Sequence, residues 1–226
     1  MLIRPIRATG MSTRLFGTDG VRGTPGEPPL DERTLARLGA AVVRMHSGAG
    51  DSVQVLIGRD TRESGEWITA QLARGIESET GSVTDGGLLS TPAVAFLTRD
   101  GRFDLGIVVS ASHNPFEDNG VKLITGDGQK ADEDLEARIA ALVTDETWAV
   151  PDTPVPSVES IAFSESYIAH TSRILNGVTV PADLRIAIDC ANGATSQLAP
   201  AVLRGLGLDP IVLHDRPDGR NINLDC

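Results

Sequence analysis

The chain has 226 residues, is 40% hydrophobic and has a mean hydropathy of −0.05, which gives it room for one large or two modest globular domains and argues against disorder as its default. A net charge of −11 and a pI near 4.7 argue against a general nucleic-acid surface, so an anionic ligand would need local cations. Two cysteines, Cys190 and Cys226, are too few for a disulfide framework or a zinc spacing; with no apolar run near the length of a membrane span and no secretion-signal pattern in residues 1–10, a cytoplasmic protein is predicted.

Residues 1–13 carry no structural signal and are read as a disordered extension. The first amphipathic helix is predicted over 31–46, where Leu35, Leu38, Val42 and Met45 fall on one face and Asp31 is placed to cap. Val53 to Ile57 then reads as a strand running into Gly58, followed by a helix capped by Ser64 and carrying Trp67, Ile68, Leu72 and Ile76. A short strand at 82–84 leads to Thr91-Pro92, with Thr91 as cap and Pro92 in the first helical turn. Next come a strand at 104–109, a tight turn at Asp118-Asn119-Gly120, a strand at 121–124, and a helix containing Leu135, Ile139 and Leu142. The alternation predicts an α/β fold with a mixed, largely parallel sheet and helices on both faces.

Three prolines within 150–157 cannot continue a helix or a central strand and mark a domain border, giving a first domain over 14–155. Residues 156–226 then begin a second α/β unit of similar plan: a helix near 164–175, a strand at 185–190 that includes Cys190, a crossover helix around 196–206 and a strand at 210–213. One crossover supplies only about two strands, so this second domain reads as incomplete.

The most informative local pattern is Ser110-Ala111-Ser112-His113-Asn114-Pro115, directly after the apolar run Leu105 to Val109. A buried strand holds its last residue rigidly, and the loop beyond it delivers side chains to the crevice where open α/β sheets bind ligands. Ser and Asn beside Pro also form hydrogen-bonded turns without chemistry, so the turn alone does not establish a site. Three further segments accompany it: Phe16-Gly17-Thr18-Asp19-Gly20-Val21-Arg22-Gly23, Gly58-Arg59-Asp60-Thr61-Arg62, and Asn119-Gly120-Val121-Lys122.

Taken together in this order, these segments resemble the phosphohexomutase family, and Arg216-Pro217-Asp218-Gly219-Arg220-Asn221-Ile222-Asn223 is similar to its bacterial phosphoglucosamine mutase branch. The likeness runs over residues 14–226. It implies an isomerase acting on a hexosamine phosphate through a phosphorylated serine, matched here by Ser112 with Ser110 as the nearby competitor. It also implies Mg²⁺, with Ser112 contributing one ligand through its phosphate; the family's aspartate-rich metal loop does not occur in this sequence. Little or no turnover is therefore expected from these 226 residues alone.

The other candidate catalytic residues are Arg22, Lys122 and His113. Arg22, in a glycine-rich segment, is suited to gripping phosphate oxygens in a planar fork, with a surface ion pair as the alternative. Lys122 is suited either to cancelling phosphate charge or, with a lowered pKa, to accepting the hydroxyl proton; a solvated strand lysine is the plain alternative. His113 would donate to the phosphate or orient Ser112, or serve simply as a turn histidine. Arg59, Asp60 and Arg62 read as an ion-paired loop ordering the first domain rather than as reactants. Phosphomannose or phosphoglucose chemistry, and a non-catalytic phosphate- or partner-binding module, are the competing functions. No nucleic-acid or membrane partner is expected, and the oligomeric state is not legible.

Overall fold

The computed structural model describes residues 15–46, 52–156, 158, 160–174, 177–178, 181 and 183–226; the extension expected at 1–13 lies outside these. Strand β1 (Val21–Gly23) comes first, then helix α1 (Glu32–His46), β2 (Gln54–Arg59), α2 (Gly65–Ser78), β3 (Ser82–Leu88), α3 (Thr91–Asp100), β4 (Leu105–Val109), β5 (Asn119–Thr125) and α4 (Glu133–Thr144). The sheet order is β1-β5-β4-β2-β3, with β3, β2 and β4 parallel, β5 antiparallel to β4, and β1 antiparallel to β5 at the edge. This is the expected mixed α/β sheet.

Period-two alternation divides the sheet's side chains between two cores. Val55, Ile57, Leu105, Ile107, Val109, Val121 and Leu123 pack with Leu35, Leu38, Val42, Ile68, Leu72 and Ile139 from α1, α2 and α4. On the opposite face Leu56, Val108 and Ile124 meet Ala93, Val94, Phe96 and Leu97 of α3. Each fully buried branched side chain of this kind contributes about 1.5–3 kcal/mol relative to exposure. Helices α1 and α2 touch backbone to backbone, because a Cβ on Gly75 would stand 1.8 Å from the Ala36 carbonyl oxygen. Arg37 fastens α1 to the end of α4: its Nε donates to Val143 O at 2.6 Å, and its terminal nitrogens donate to the carbonyls of Leu142, Asp145 and Trp148. Those carbonyls include groups that the last helical turn leaves without intrahelical partners.

Beyond residue 156, α5 (Ser164–Ile174) lays Tyr167 and His170 against Phe96 of α3, the His170 ring stacking at 3.7 Å. Strands β6 (Ala187–Asp189) and β7 (Ile211–Leu213) form a two-stranded parallel sheet joined through α6 (Leu198–Gly205).

Several local expectations are corrected. Asp31 caps α1 as read, its Oδ1 accepting from Thr34 N at 3.1 Å, but Ser64 makes no side-chain cap. Its hydroxyl instead accepts from Asn119 Nδ2 at 2.9 Å. Ser90, not Thr91, is the extended residue before α3, and Pro92 falls in the first turn as expected. Asn119 and Gly120 do not make the tight turn but open β5, paired with Gly23 and Arg22 of β1. Strand β3 runs to Leu88, and Cys190 is buried just after β6 rather than inside it.

Candidate active site

Ser110 leaves β4 and is still held by the sheet, its N–H donating to Gly120 O at 2.9 Å. The chain then turns sharply. Ser112 has φ of +58°, a left-handed backbone, and its N–H donates to Ser110 Oγ at 3.0 Å. Asn114 N–H closes the turn on Ala111 O at 3.2 Å, and its Nδ2 donates to Asp118 Oδ2 at 2.9 Å. Ser112 and His113 are thereby both exposed at the end of a fully buried strand. Ser110, half-buried, accepts the Ser112 N–H with its hydroxyl, whereas Ser112 is the more exposed of the two.

Two cations flank this loop. Arg22 lies on β1 opposite Gly120, and its Nη1 donates to Asn114 Oδ1 at 3.2 Å, tying the arginine to the serine loop. Lys122 stands on β5 beside Val108. A residue the sequence reading passed over joins them: Asp19 Oδ2 lies 2.5 Å from Arg22 Nη2 and 2.8 Å from Lys122 Nζ. The hydrogen bond from Lys122, aided by its charge and by Arg22, holds the Asp19 carboxyl below the usual carboxylate range against a smaller opposing effect of burial. The Arg22 Nε is buried without a hydrogen-bond partner, so this guanidinium retains an unused donor.

Gly20 makes that triad sterically possible. Its φ is +88°, and a Cβ there would meet Val121 O at 2.4 Å, so the Gly17–Gly20 turn that carries Asp19 presses directly on the backbone of β5 next to Lys122. The Gly17 N–H to Gly20 O bond at 2.8 Å closes the same turn.

The loop after β2 has the ion-paired character expected of it. Arg59 Nη1 bonds Asp85 Oδ1 at 2.5 Å, and Arg62 pairs with Asp60. Arg62 does more than that, because its Nη2 also donates to the Asn114 and Ser112 carbonyls at 2.6 and 3.3 Å. Asn223, from the segment after β7, donates to the same two oxygens at 2.9 Å each. Neither contact has a local sequence signal, since both depend on approaches across 50 residues or more.

An exposed hydroxyl on a rigid turn, bordered by two cations balanced on one carboxylate, suits an acceptor or donor of an anionic group. Among the described residues no group of three or more His, Cys, Asp and Glu is arranged to hold a metal ion, and no helix is long and apolar enough to cross a membrane.

The fold and the sequence have known relatives. Residues 13–150 match the family model described as phosphoglucomutase/phosphomannomutase, alpha/beta/alpha domain I. The phosphoglucosamine mutase of Solibacter usitatus is 41% identical over 219 residues, covering 96% of this chain and 48% of that protein. The enzyme of the same name from Moorella thermoacetica is 44% identical over 225 residues, covering 94% and 48%. Thus the chain spans about half the length of the curated relatives it matches. Among solved structures, a phosphoglucomutase/phosphomannomutase family protein from Burkholderia thailandensis superimposes with a TM-score of 0.77 at 26% identity, over 96% of this chain and 46% of that one. With the family model spanning the whole five-stranded sheet and the serine loop that follows its central strand, the chain belongs to the phosphoglucomutase/phosphomannomutase family.

Proposed function

We propose that the protein carrying this chain is a phosphoglucosamine mutase, interconverting glucosamine 6-phosphate and glucosamine 1-phosphate in the cytoplasm, and that Ser112 is its phosphoryl carrier. The single observation that supports the reading best is the exposed, left-handed Ser112 beside the Arg22–Asp19–Lys122 triad. The name shared by relatives about 40% identical favours glucosamine over mannose or glucose as the sugar.

In the proposed cycle the bond between Ser112 Oγ and phosphorus breaks as one forms to the free hydroxyl oxygen of the sugar phosphate. The proton of that hydroxyl ends on Ser112 Oγ. The resulting bisphosphate turns over and returns its other phosphate to Ser112, so that transfer is net within one sugar. Such a reaction asks chiefly for alignment and for cations where negative charge spreads. Arg22 supplies a planar guanidinium fork, and Lys122 a compact positive charge. Lys122 keeps its ion pair with Asp19 at 2.8 Å, next to the strand that ends in the serine loop. His113, exposed next to the serine in sequence, would donate to an incoming phosphate.

Mg²⁺ would neutralise phosphoryl charge in such a reaction. The described residues offer no cluster for it, so phospho-Ser112 would give one oxygen and the other ligands would have to come from the aspartate-rich loop that this sequence does not contain. No step above is routed through the metal. We also propose that residues 14–155 and 156–226 are the first domain and part of the second, and that the 226 residues alone turn over sugar phosphates slowly if at all.

The test combines intact mass with a coupled assay for glucosamine phosphate isomerisation. Protein purified from bacterial cells should carry one phosphoryl group that Ser112→Ala lacks, and a chain completed to the length of its relatives should isomerise glucosamine phosphate and lose that activity with Ser112→Ala. Unchanged phosphate content or unchanged turnover in the variant would refute the reading.

A further inference from the structure

The serine loop turns two carbonyl groups away from the sheet, those of Ser112 and Asn114. Each accepts two hydrogen bonds, one from Arg62 Nη2 and one from Asn223 Nδ2, so both lone pairs of both oxygens are used. A left-handed backbone is costly for a serine, since its Cβ crowds the neighbouring carbonyl there, and these bonds offset that cost.

The two donors are anchored in different parts of the chain. Arg62 belongs to the first α/β unit: its side chain is wholly buried, it pairs with Asp60, and Asp60 N–H donates to Val109 O at 3.1 Å at the end of β4. Asn223 belongs to the second unit. Its N–H donates to Ala191 O at 2.9 Å, its neighbour Ile222 is buried, and Asn192 braces the same segment by donating to Asn221 O at 3.2 Å and accepting from Arg216 N at 3.1 Å. The units meet around the loop that carries Arg62, where Thr61 Oγ1 donates to Asn192 O at 2.5 Å and Glu63 N–H to Gly219 O at 3.0 Å. Arg220 Nε reaches Glu63 Oε2 at 2.8 Å on the same border.

We infer that Asn223 is a positioning residue through which the second α/β unit fixes the conformation of the serine loop, with Arg62 holding the same carbonyls from the first unit. The placement of the Ser112 hydroxyl then depends on whether the second unit is seated. The consequence for phosphoryl transfer rests on the proposed function; the conformational dependence does not. Asn223 touches no reacting atom, so its effect on transfer passes entirely through the backbone of Ser112 and Asn114.

The experiment uses the 226-residue chain with Asn223→Ala and Asn223→Asp, the second keeping the size of the side chain while removing its donor. Amide hydrogen exchange within 110–115 should quicken by about tenfold in both variants, the loss of two shared hydrogen bonds, while β4 and β5 stay protected. In parallel, the same substitutions are made in a chain completed to the length of its relatives and treated with phosphatase, and rephosphorylation of Ser112 by glucosamine 1,6-bisphosphate is followed by intact mass. The maximal rate should fall by about tenfold with the half-saturating concentration unchanged, because a misplaced hydroxyl slows transfer without weakening donor binding. Unchanged exchange in the loop would overturn the inference, as would an unchanged maximal rate despite faster exchange. Loss of protection throughout β4 and β5 in both variants would also overturn it, since the contact would then be a general support. Completed, phosphatase-treated wild-type protein that takes up no phosphate refutes the proposed function and leaves the exchange result to judge the loop.

Discussion

Gly20 and Gly26 form a matched pair for testing how the cationic triad is assembled. Their φ values are +88° and +89°, yet a Cβ on Gly20 would lie 2.4 Å from Val121 O while one on Gly26 would meet nothing within 4 Å. Alanine at either position incurs the left-handed backbone penalty of about 1–2 kcal/mol, and either gains about 0.4–1 kcal/mol from a stiffer unfolded chain. Those two effects cancel in the comparison. Only Gly20→Ala adds an overlap about 1 Å inside ordinary contact, and against a strand backbone that cannot rotate away; forced shifts of this sort cost about 1–3 kcal/mol. Equilibrium unfolding in urea should therefore show Gly20→Ala less stable than Gly26→Ala by more than about 1 kcal/mol, with similar dependence on urea concentration. Gly20→Ala should also separate Asp19 from Lys122, since the clash falls on the strand that carries the lysine. Equal destabilisation by the two substitutions would refute the claim that the Gly17–Gly20 turn is pressed onto β5.

Arg37→Met should destabilise the fold by about 2–4 kcal/mol in the same assay, because it strips the donors from four carbonyls at the end of α4; Arg37→Lys should not restore the loss, since an ammonium cannot fork among them. The depressed pKa of Asp19 gives a pH dependence of known sign. A carboxyl whose folded pKa lies below its unfolded value contributes stability above the unfolded value, near pH 4, and loses it as the pH falls through the folded one. With the Asp19 side chain 43% exposed the effect should stay within about 1 kcal/mol. Between about pH 5 and pH 3 the wild-type unfolding midpoint should thus drop further than that of Asp19→Asn; parallel curves would contradict the ion-pair assignment.

Much of the scaffold was legible because it rests on short-range signals. The apolar spacing of Leu35, Leu38 and Val42 and the cap at Asp31 define α1, and the run from Leu105 to Val109 is buried at every residue as a central parallel strand requires. Ser112, Arg22 and Lys122 were legible for a different reason, through their motif contexts, and the structure links Arg22 to Lys122 and to the serine loop. Failures occurred where tertiary contact overrode a local preference. Asn119-Gly120 carries a turn signal, but Asn119 Nδ2 finds Ser64 Oγ, and Gly120 sits so close to Val21 and Ser110 carbonyls that the pair is absorbed into β5. The same contact removed Ser64 from its expected capping role. Asp19 was hidden among glycines, Arg62 looked complete with its Asp60 partner, and Asn223 meets the serine loop only because the chain returns after more than 100 residues. No periodicity or motif spacing encodes such returns.

The most direct test of the central claim is to incubate the protein with glucosamine 1,6-bisphosphate labelled in its phosphates and to locate the transferred group by peptide fragmentation across 110–115. The account predicts label on Ser112, with Ser110 bare and nothing retained by Ser112→Ala. Label on Ser110 or on a residue outside this loop, or a Ser112→Ala protein that takes up phosphate as readily as the parent, would contradict it.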